Sequence, residues 1–220
     1  MLAFRAVALF ITFEGLDGSG KSTHLERAAR WLGEAGVPLV VTREPGGTGL
    51  GDAVRKIFLD HRLAAADGTV ELLLVFAARR QHLVEVVEPA LAAGKHVLCD
   101  RFTDSTIAYQ GFARGVDLEV VDGIDRLATG RRRPDRTLLF DLPPEVARRR
   151  GHSGHRQRRG DTNRLDAEDV RFYAEVRAGY LELSRREPER FRIVDSAGPL
   201  EATARAVRAA LADLLPAATA

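Results

Sequence analysis

Ala6 to Thr23 reads AVALFITFEGLDGSGKST, and the junction in the middle of this stretch decides the fold. Its first part, Ala6 to Phe13, is a continuous apolar and partly β-branched run, the pattern of a central parallel strand buried on both faces. Its second part contains Gly15-Leu16-Asp17-Gly18-Ser19-Gly20-Lys21-Ser22, which meets G-x-x-x-x-G-K-[ST] at every defined position and opens a helix predicted from about Gly20. Glycines let such a loop curl so that successive backbone N–H groups point at phosphate oxygens, and the helix N-terminus adds partial positive charge. Lys21 is placed to reach the β and γ phosphates and Ser22 to ligate Mg²⁺. Gly15 to Thr23 is therefore the candidate ATP-binding loop.

Outward from this junction, strands and helices alternate. Leu25, Ala28, Ala29 and Leu32 continue the first helix, which stops before Gly36-Val37-Pro38; Val37 to Thr42 is the second strand, and Thr48 to about Asp60 the second helix. Apolar residues recur at helical spacing from Gly68 to Ala93, predicting one long helix. His96 to Asp100, Arg136 to Asp141 and Phe191 to Val194 are the remaining strands. Helices are predicted over Thr103 to Gln110, Asp117 to Ala128, just after Pro143-Pro144, Asp166 to Arg186 and Pro199 to Leu215. The expectation is an α/β P-loop fold, a five-stranded mostly parallel sheet with helices on both faces, which the segments after the second and third strands assign to the P-loop kinase type. One domain covers residues 1–220, with a short mobile lid at about 148–164, where Gly151 to Asn163 is all polar or glycine.

Composition narrows the function classes. A chain of 220 residues with 45% hydrophobic content supports one sizeable core, and a formal net charge of +2 gives no case for generic nucleic-acid binding. The single cysteine, Cys99, follows Val97 and Leu98 and reads as a buried strand position in a reducing, cytoplasmic setting. Leu2 to Phe13 runs straight into the glycine loop and reads as a strand rather than a signal peptide, and no apolar run approaches the roughly 20 residues of a membrane span. His152 and His155 have no cysteine pair beside them and do not make a zinc site.

A phosphate loop alone does not separate a switch GTPase, an ATPase motor and a small-molecule kinase. The acceptor side is carried by two further segments, Arg43-Glu44-Pro45-Gly46-Gly47 after the second strand and Asp100-Arg101-Phe102 after the third. Ligands of doubly wound sheets bind at the carboxyl ends of strands, so both segments converge with the loop on one crevice. There Asp100 can hold magnesium, and Arg101 can bridge an acceptor phosphate to the donor's γ phosphate.

With these segments in order, the chain resembles the bacterial thymidylate kinase family from about residue 6 to beyond residue 210. Phe13 to Thr23 is similar to that family's phosphate loop, Thr42 to Thr48 (TREPGGT) to its second signature, and Asp100 to Gly111 (DRFTDSTIAYQG) to its third. The resemblance implies transfer from ATP-Mg²⁺ to dTMP, giving dTDP for dTTP synthesis. It implies that a phenylalanine stacks on thymine and an arginine one turn later bonds its O4, by position Phe76 and Arg80. Ser105, Thr106, Tyr109 and Gln110 match deoxynucleoside contacts, with Tyr109 at the sugar, where it selects deoxyribose. Asp17 matches an acidic loop position near the acceptor; Glu44 and Pro45 belong to the second signature; Arg43, Arg55 and Arg101 hold the acceptor phosphate. Gly18 and Ser19 are not basic, so the transition-state arginine belongs to the lid, by position Arg150 or Arg164. A homodimer is also implied, the Gly68 to Ala93 helix offering a contact face.

The sequence departs from the family pattern in a longer, more basic lid segment from His152 to Gly160, in Asn163-Arg164-Leu165-Asp166 where Asp-Arg-x-Glu is usual, in Arg79 at a position often acidic or small, and in Phe102 for the commoner Tyr or His. A signalling GTPase is disfavoured by the lack of a suitably placed Asn-Lys-x-Asp. A kinase for another acceptor, and a nucleic-acid binder using Arg131 to Arg133, are left to experiment.

Overall fold

The computed structural model describes residues 7–63, 66–151 and 164–215. Five strands, β1 (Phe10–Gly15), β2 (Leu39–Arg43), β3 (His96–Asp100), β4 (Arg136–Asp141) and β5 (Phe191–Asp195), lie in the order β2-β3-β1-β4-β5. Every neighbouring pair is parallel, so the sheet is wholly rather than mostly parallel. β1 extends beyond the predicted Phe13 because it pairs with β4 up to Gly15–Phe140; Ala6, where the apolar run was expected to begin the strand, lies outside the described residues.

The alternation of β1 explains how both faces are covered. Ile11 and Phe13 join Leu25, Leu32, Leu138, Phe140, Val207 and Leu211 on one side of the sheet, under α1 (Lys21–Glu34) and the C-terminal helix. Phe10 turns to the other side, with Leu83, Val87, Cys99 and Phe102. Fully buried apolar side chains of this size each stabilise the fold by roughly 1.5–3 kcal/mol, which is why an uninterrupted apolar run sits at the sheet centre. Among the described residues no helix is long and apolar enough to cross a membrane.

The remaining helices are α2 (Gly49–Leu59), α3 (Gly68–His82), α4 (Glu88–Ala92), α5 (Thr103–Thr106), α6 (Leu118–Thr129), α7 (Pro144–Gly151), α8 (Val170–Arg186) and α9 (Leu200–Leu211). The predicted long helix from Gly68 is α3 joined to α4 through a π-helical turn at Leu83–Val87. Pro89 supplies the reason, since it has no N–H for the carbonyl one turn back and its ring crowds that turn. A second π segment, Ile107–Ala113, follows α5. α8 starts at Val170 rather than Asp166 because Asp169 caps it, accepting a 2.8 Å bond from the Phe172 amide.

Candidate active site

A cleft of about 760 Å³ opens where β1, β2 and β3 end. Its floor is the phosphate loop. Gly15 has φ 138°, and a Cβ there would lie 2.5 Å from the Phe140 carbonyl oxygen, so only glycine allows the loop to leave the sheet this close to β4. Gly20, at φ 85°, turns the chain into α1. Asp17, Gly18, Gly20, Lys21, Ser22 and Thr23 line the cleft. Gly15, Leu16 and Ser19 do not: Leu16 is packed into the core, and Ser19 is 2% exposed. Lys21 Nζ donates to Asp17 Oδ1 at 3.2 Å, a resting contact in which a carboxylate holds the ammonium over the loop.

Ser22 Oγ donates to Asp100 Oδ2 at 2.5 Å, while Asp100 Oδ1 is buried without a partner among the described residues. A hydroxyl beside a half-satisfied carboxylate fits Mg²⁺, which keeps several waters and takes few protein oxygens when nucleotide phosphates supply the rest.

Arg101 is one of two described non-glycine residues with positive φ, at 73°, a conformation costing roughly 1–2 kcal/mol for an L-residue. Four oxygens hold it there. Its NH2 donates to Asp17 Oδ1 at 2.7 Å and to Tyr109 OH at 3.2 Å, and its NH1 to Ser105 Oγ at 3.0 Å and Tyr180 OH at 3.1 Å. Beneath them lies Glu14, fully buried, which accepts from the Phe102 amide at 2.7 Å, Ser105 Oγ at 2.5 Å and Tyr180 OH at 3.1 Å. Burial, with the neighbouring Asp104 carboxylate, pushes Glu14 up to about 8. Ser105, Thr106, Tyr109 and Gln110 all line the cleft, their i, i+1, i+4, i+5 spacing keeping them on one face of α5 and the turn that continues it.

At the far end of the cleft the structure corrects two assignments. Val75 and Arg79 line it, whereas Phe76 and Arg80 do not. One residue along a helix is a rotation of about 100°. Glu71, Val75 and Arg79 share the cleft face, and Phe76 and Arg80 turn toward α6. There Phe76 packs with Val121 and Ala128, and Arg80 NH1 reaches the Ala128 carbonyl at 3.5 Å. The sequence offered adjacent arginines at 79 and 80, and only packing against α6 separates them.

Arg79 is 1% exposed. Its Nε donates to Glu44 Oε2 at 2.7 Å and its NH2 to Thr106 Oγ1 at 2.9 Å, leaving NH1 buried without a partner among the described residues. Glu44, expected at the substrate, does line the cleft, with its carboxylate bonded to Arg79 and to His82 Nδ1 at 2.8 Å. His82 in turn is bonded to Thr42 Oγ1 at 2.7 Å. The second signature thus builds a buried support for an arginine that sequence reasoning set aside.

Arg43, Pro45 and Arg55 line the cleft beside Arg101. Arg55 NH1 donates to the Pro45 carbonyl at 3.2 Å, and burial, together with the Arg43 guanidinium, lowers its pKa from the ordinary value. Arg150 also lines the cleft, its guanidinium bonded to the carbonyls of Ser196 at 2.7 Å and Ala197 at 3.1 Å. Residues 152–163 of the expected lid and the side chain of Arg164 lie outside the described residues. Phe102, from the segment expected at the crevice, lines it too. Phe58, Leu59 and Leu165 join the lining unforeseen, because apolar residues of a cleft wall carry the same sequence signal as core.

A loop built for phosphates thus faces a second cluster of arginines across one cleft, with a partly spent arginine at its end. The thymidylate kinase family model matches residues 13–207. The chain is 47% identical over 205 residues to the thymidylate kinase of Desulfosudis oleivorans, covering 92% of this chain and 96% of that one. It is 48% identical over 209 residues to that of Pseudomonas putida, covering 94% and 98%. The crystal structure of thymidylate kinase from Ehrlichia chaffeensis superposes with a TM-score of 0.74 at 34% identity, over 94% of this chain and 99% of that chain. The chain belongs to the thymidylate kinase family.

Proposed function

We propose that the chain phosphorylates dTMP to dTDP, with ATP as phosphoryl donor, for dTTP synthesis. The observation that carries this reading is a single cleft with a phosphate loop at one end, Arg43, Arg55 and Arg101 in the middle, and the spare NH1 of Arg79 at the other. An oxygen of the dTMP phosphate attacks the γ phosphorus in line; the new P–O bond forms as the bond to the β-phosphate bridging oxygen breaks, and ADP leaves. The attacking group is already anionic, so no general base is required. Catalysis is positioning and charge neutralisation.

Lys21 follows the β and γ phosphates, Arg101 spans donor and acceptor phosphates, and Arg43 and Arg55 fix the acceptor. Asp17 positions both Lys21 and Arg101. Ser22 and Asp100 would hold Mg²⁺, which neutralises phosphate charge when bound. Tyr109 lies under the sugar and disfavours a 2′-hydroxyl, and Arg79, in place of Arg80, donates to O4 of the base. Arg150 and Arg164 supply charge to the transition state. One domain carries all of these parts, and the enzyme works in the cytoplasm, where its nucleotides are found.

The test is an ADP-release assay with dTMP, dUMP, dCMP, UMP and thymidine. The expected result is strong preference for dTMP. In Arg79→Ala that retains the wild-type near-UV spectrum, kcat/KM for dTMP is expected to fall about thirtyfold, the worth of a charged hydrogen bond of about 2 kcal/mol. Arg80→Ala is expected to stay within about threefold of wild type, as for a surface change. No turnover of any monophosphate, or equal effects of the two substitutions, would overturn the reading.

We also propose a homodimer through the outer face of α3 and its π turn, where Val70, Leu73 and Val84 are 49%, 55% and 50% exposed. Sedimentation velocity is expected to give a dimer that Leu73→Glu dissociates. A monomer at all concentrations would reject it.

A further inference from the structure

Gln110 lines the cleft, yet its amide nitrogen is committed elsewhere: Nε2 donates to Glu71 Oε2 at 2.8 Å. Glu71 is 1% exposed and paired on its other oxygen with Arg114 Nε at 3.3 Å. A primary amide can turn over, exchanging donor for acceptor at nearly no steric cost. Beside a carboxylate, which has only acceptors, the orientation is decided: NH2 faces Glu71, and Oε1 is the atom left for the cleft.

Glu71, Val75 and Arg79 follow one another at four-residue spacing on the same face of α3, and Arg79 NH2 is anchored to Thr106, four residues before Gln110. The base end of the cleft therefore presents two groups of fixed polarity around an apolar Val75 floor, an acceptor from Gln110 and the unpartnered NH1 donor of Arg79. An adjacent N–H and carbonyl satisfy that pair. Thymine and uracil offer N3–H and O4. Cytosine offers an N3 lone pair and an N4 amino group, the reverse at both positions.

We infer that Glu71 is a specificity-determining positioning residue. It never touches the substrate; by holding the Gln110 amide in one orientation, it makes the pocket select a pyrimidine with an N3–H over one with an N3 lone pair. This rests on the dTMP kinase reading and deepens it. In Glu71→Gln the neighbour offers both a donor and an acceptor, so Gln110 can turn its NH2 into the cleft to meet cytosine N3. Arg79 still opposes the amino group, so one of two discriminating contacts is lost.

The experiment measures kcat/KM for dTMP, dUMP and dCMP in wild type, Glu71→Gln, and the exchanged pair Glu71→Gln with Gln110→Glu. In Glu71→Gln the dTMP-to-dCMP ratio is expected to narrow about tenfold, the cost of one mispaired buried group. The dTMP-to-dUMP ratio is expected to stay within about twofold, since both bases present the same edge. The exchanged pair returns an acceptor-only group to the cleft and is expected to restore the wild-type dTMP-to-dCMP ratio, and it carries the test alone if Glu71→Gln does not fold.

Equal losses on all three substrates in Glu71→Gln, as from a merely structural role, would overturn the inference, as would an exchanged pair that leaves the ratio narrowed. A wild-type enzyme without preference for dTMP over dCMP would overturn the substrate reading and the inference with it. A dTMP preference that survives Glu71→Gln unchanged overturns the inference alone.

Discussion

Alanine at position 21 is expected to lower kcat by about a thousandfold or more, the loss that follows removal of a preorganised charge from a water-poor site, with little change in KM for dTMP. Lys21 is 6% exposed and held over the loop by Asp17, so its ammonium is in place before nucleotide arrives and little reorganisation opposes its move to the phosphates. Its attraction grows as charge migrates toward the departing β phosphate, which puts the effect on turnover. The fold should tolerate the change, since the aliphatic stem is not part of a core cluster and Asp17 keeps its 2.7 Å bond to Arg101. Stopped-flow measurement of ADP release, beside a thermal melt, decides it. Turnover within tenfold of wild type in a folded Lys21→Ala protein would remove the lysine from the mechanism.

Arg101→Lys is the second large effect: kcat is expected to fall about a hundredfold although the charge is retained. The guanidinium donates to Asp17, Ser105, Tyr109 and Tyr180 from two nitrogens, a planar fork that an ammonium on a flexible stem does not reproduce. Those contacts also hold the backbone at a φ of 73°, and strain kept at a site of this kind is better accounted for by positioning than by stability. The melting temperature of Arg101→Lys should therefore change much less than its activity suggests. Near-normal turnover with lysine would mean that charge alone is needed and that the fork is incidental.

Residues whose chemistry depends on chain direction and local backbone were legible in the sequence. The glycine loop, the ends of β2 and β3 and the parallel sheet all follow from short patterns whose physical requirement lies within a few residues. What escaped depends on long-range packing. Arg79 and Arg80 are equivalent in a one-dimensional reading of α3; Arg79 is buried at the cleft, while Arg80 stays exposed and reaches the Ala128 carbonyl on α6. Glu44 stands in a signature and does line the cleft, but nothing near it in sequence announces its carboxylate partners, 35 and 38 residues away on α3. Glu14 ends an apolar run and gives no hint that the Phe102 amide and Ser105 hydroxyl, from one distant segment, and the Tyr180 hydroxyl, from another, meet on it. The two π turns have no composition of their own; one answers Pro89, and nothing in the structure explains the other, at Ile107–Ala113.

The register of β1 bears on how the chain is made. Residues 10–15 find their neighbours at 97–100 and 136–140, and the Phe10 amide bonds Asp135 across 125 positions. Contacts of such separation form late, because the closure entropy of the intervening chain must be met before they stabilise anything. Gly15 takes its shape against the Phe140 carbonyl, so the stretch that identifies the protein within its first two dozen residues acquires its working form only after well over half of the chain has left the ribosome. Until then the nascent protein carries the motif without the site, and an apolar strand with both edges unpaired depends on the pace of translation and on chaperones to stay out of trouble.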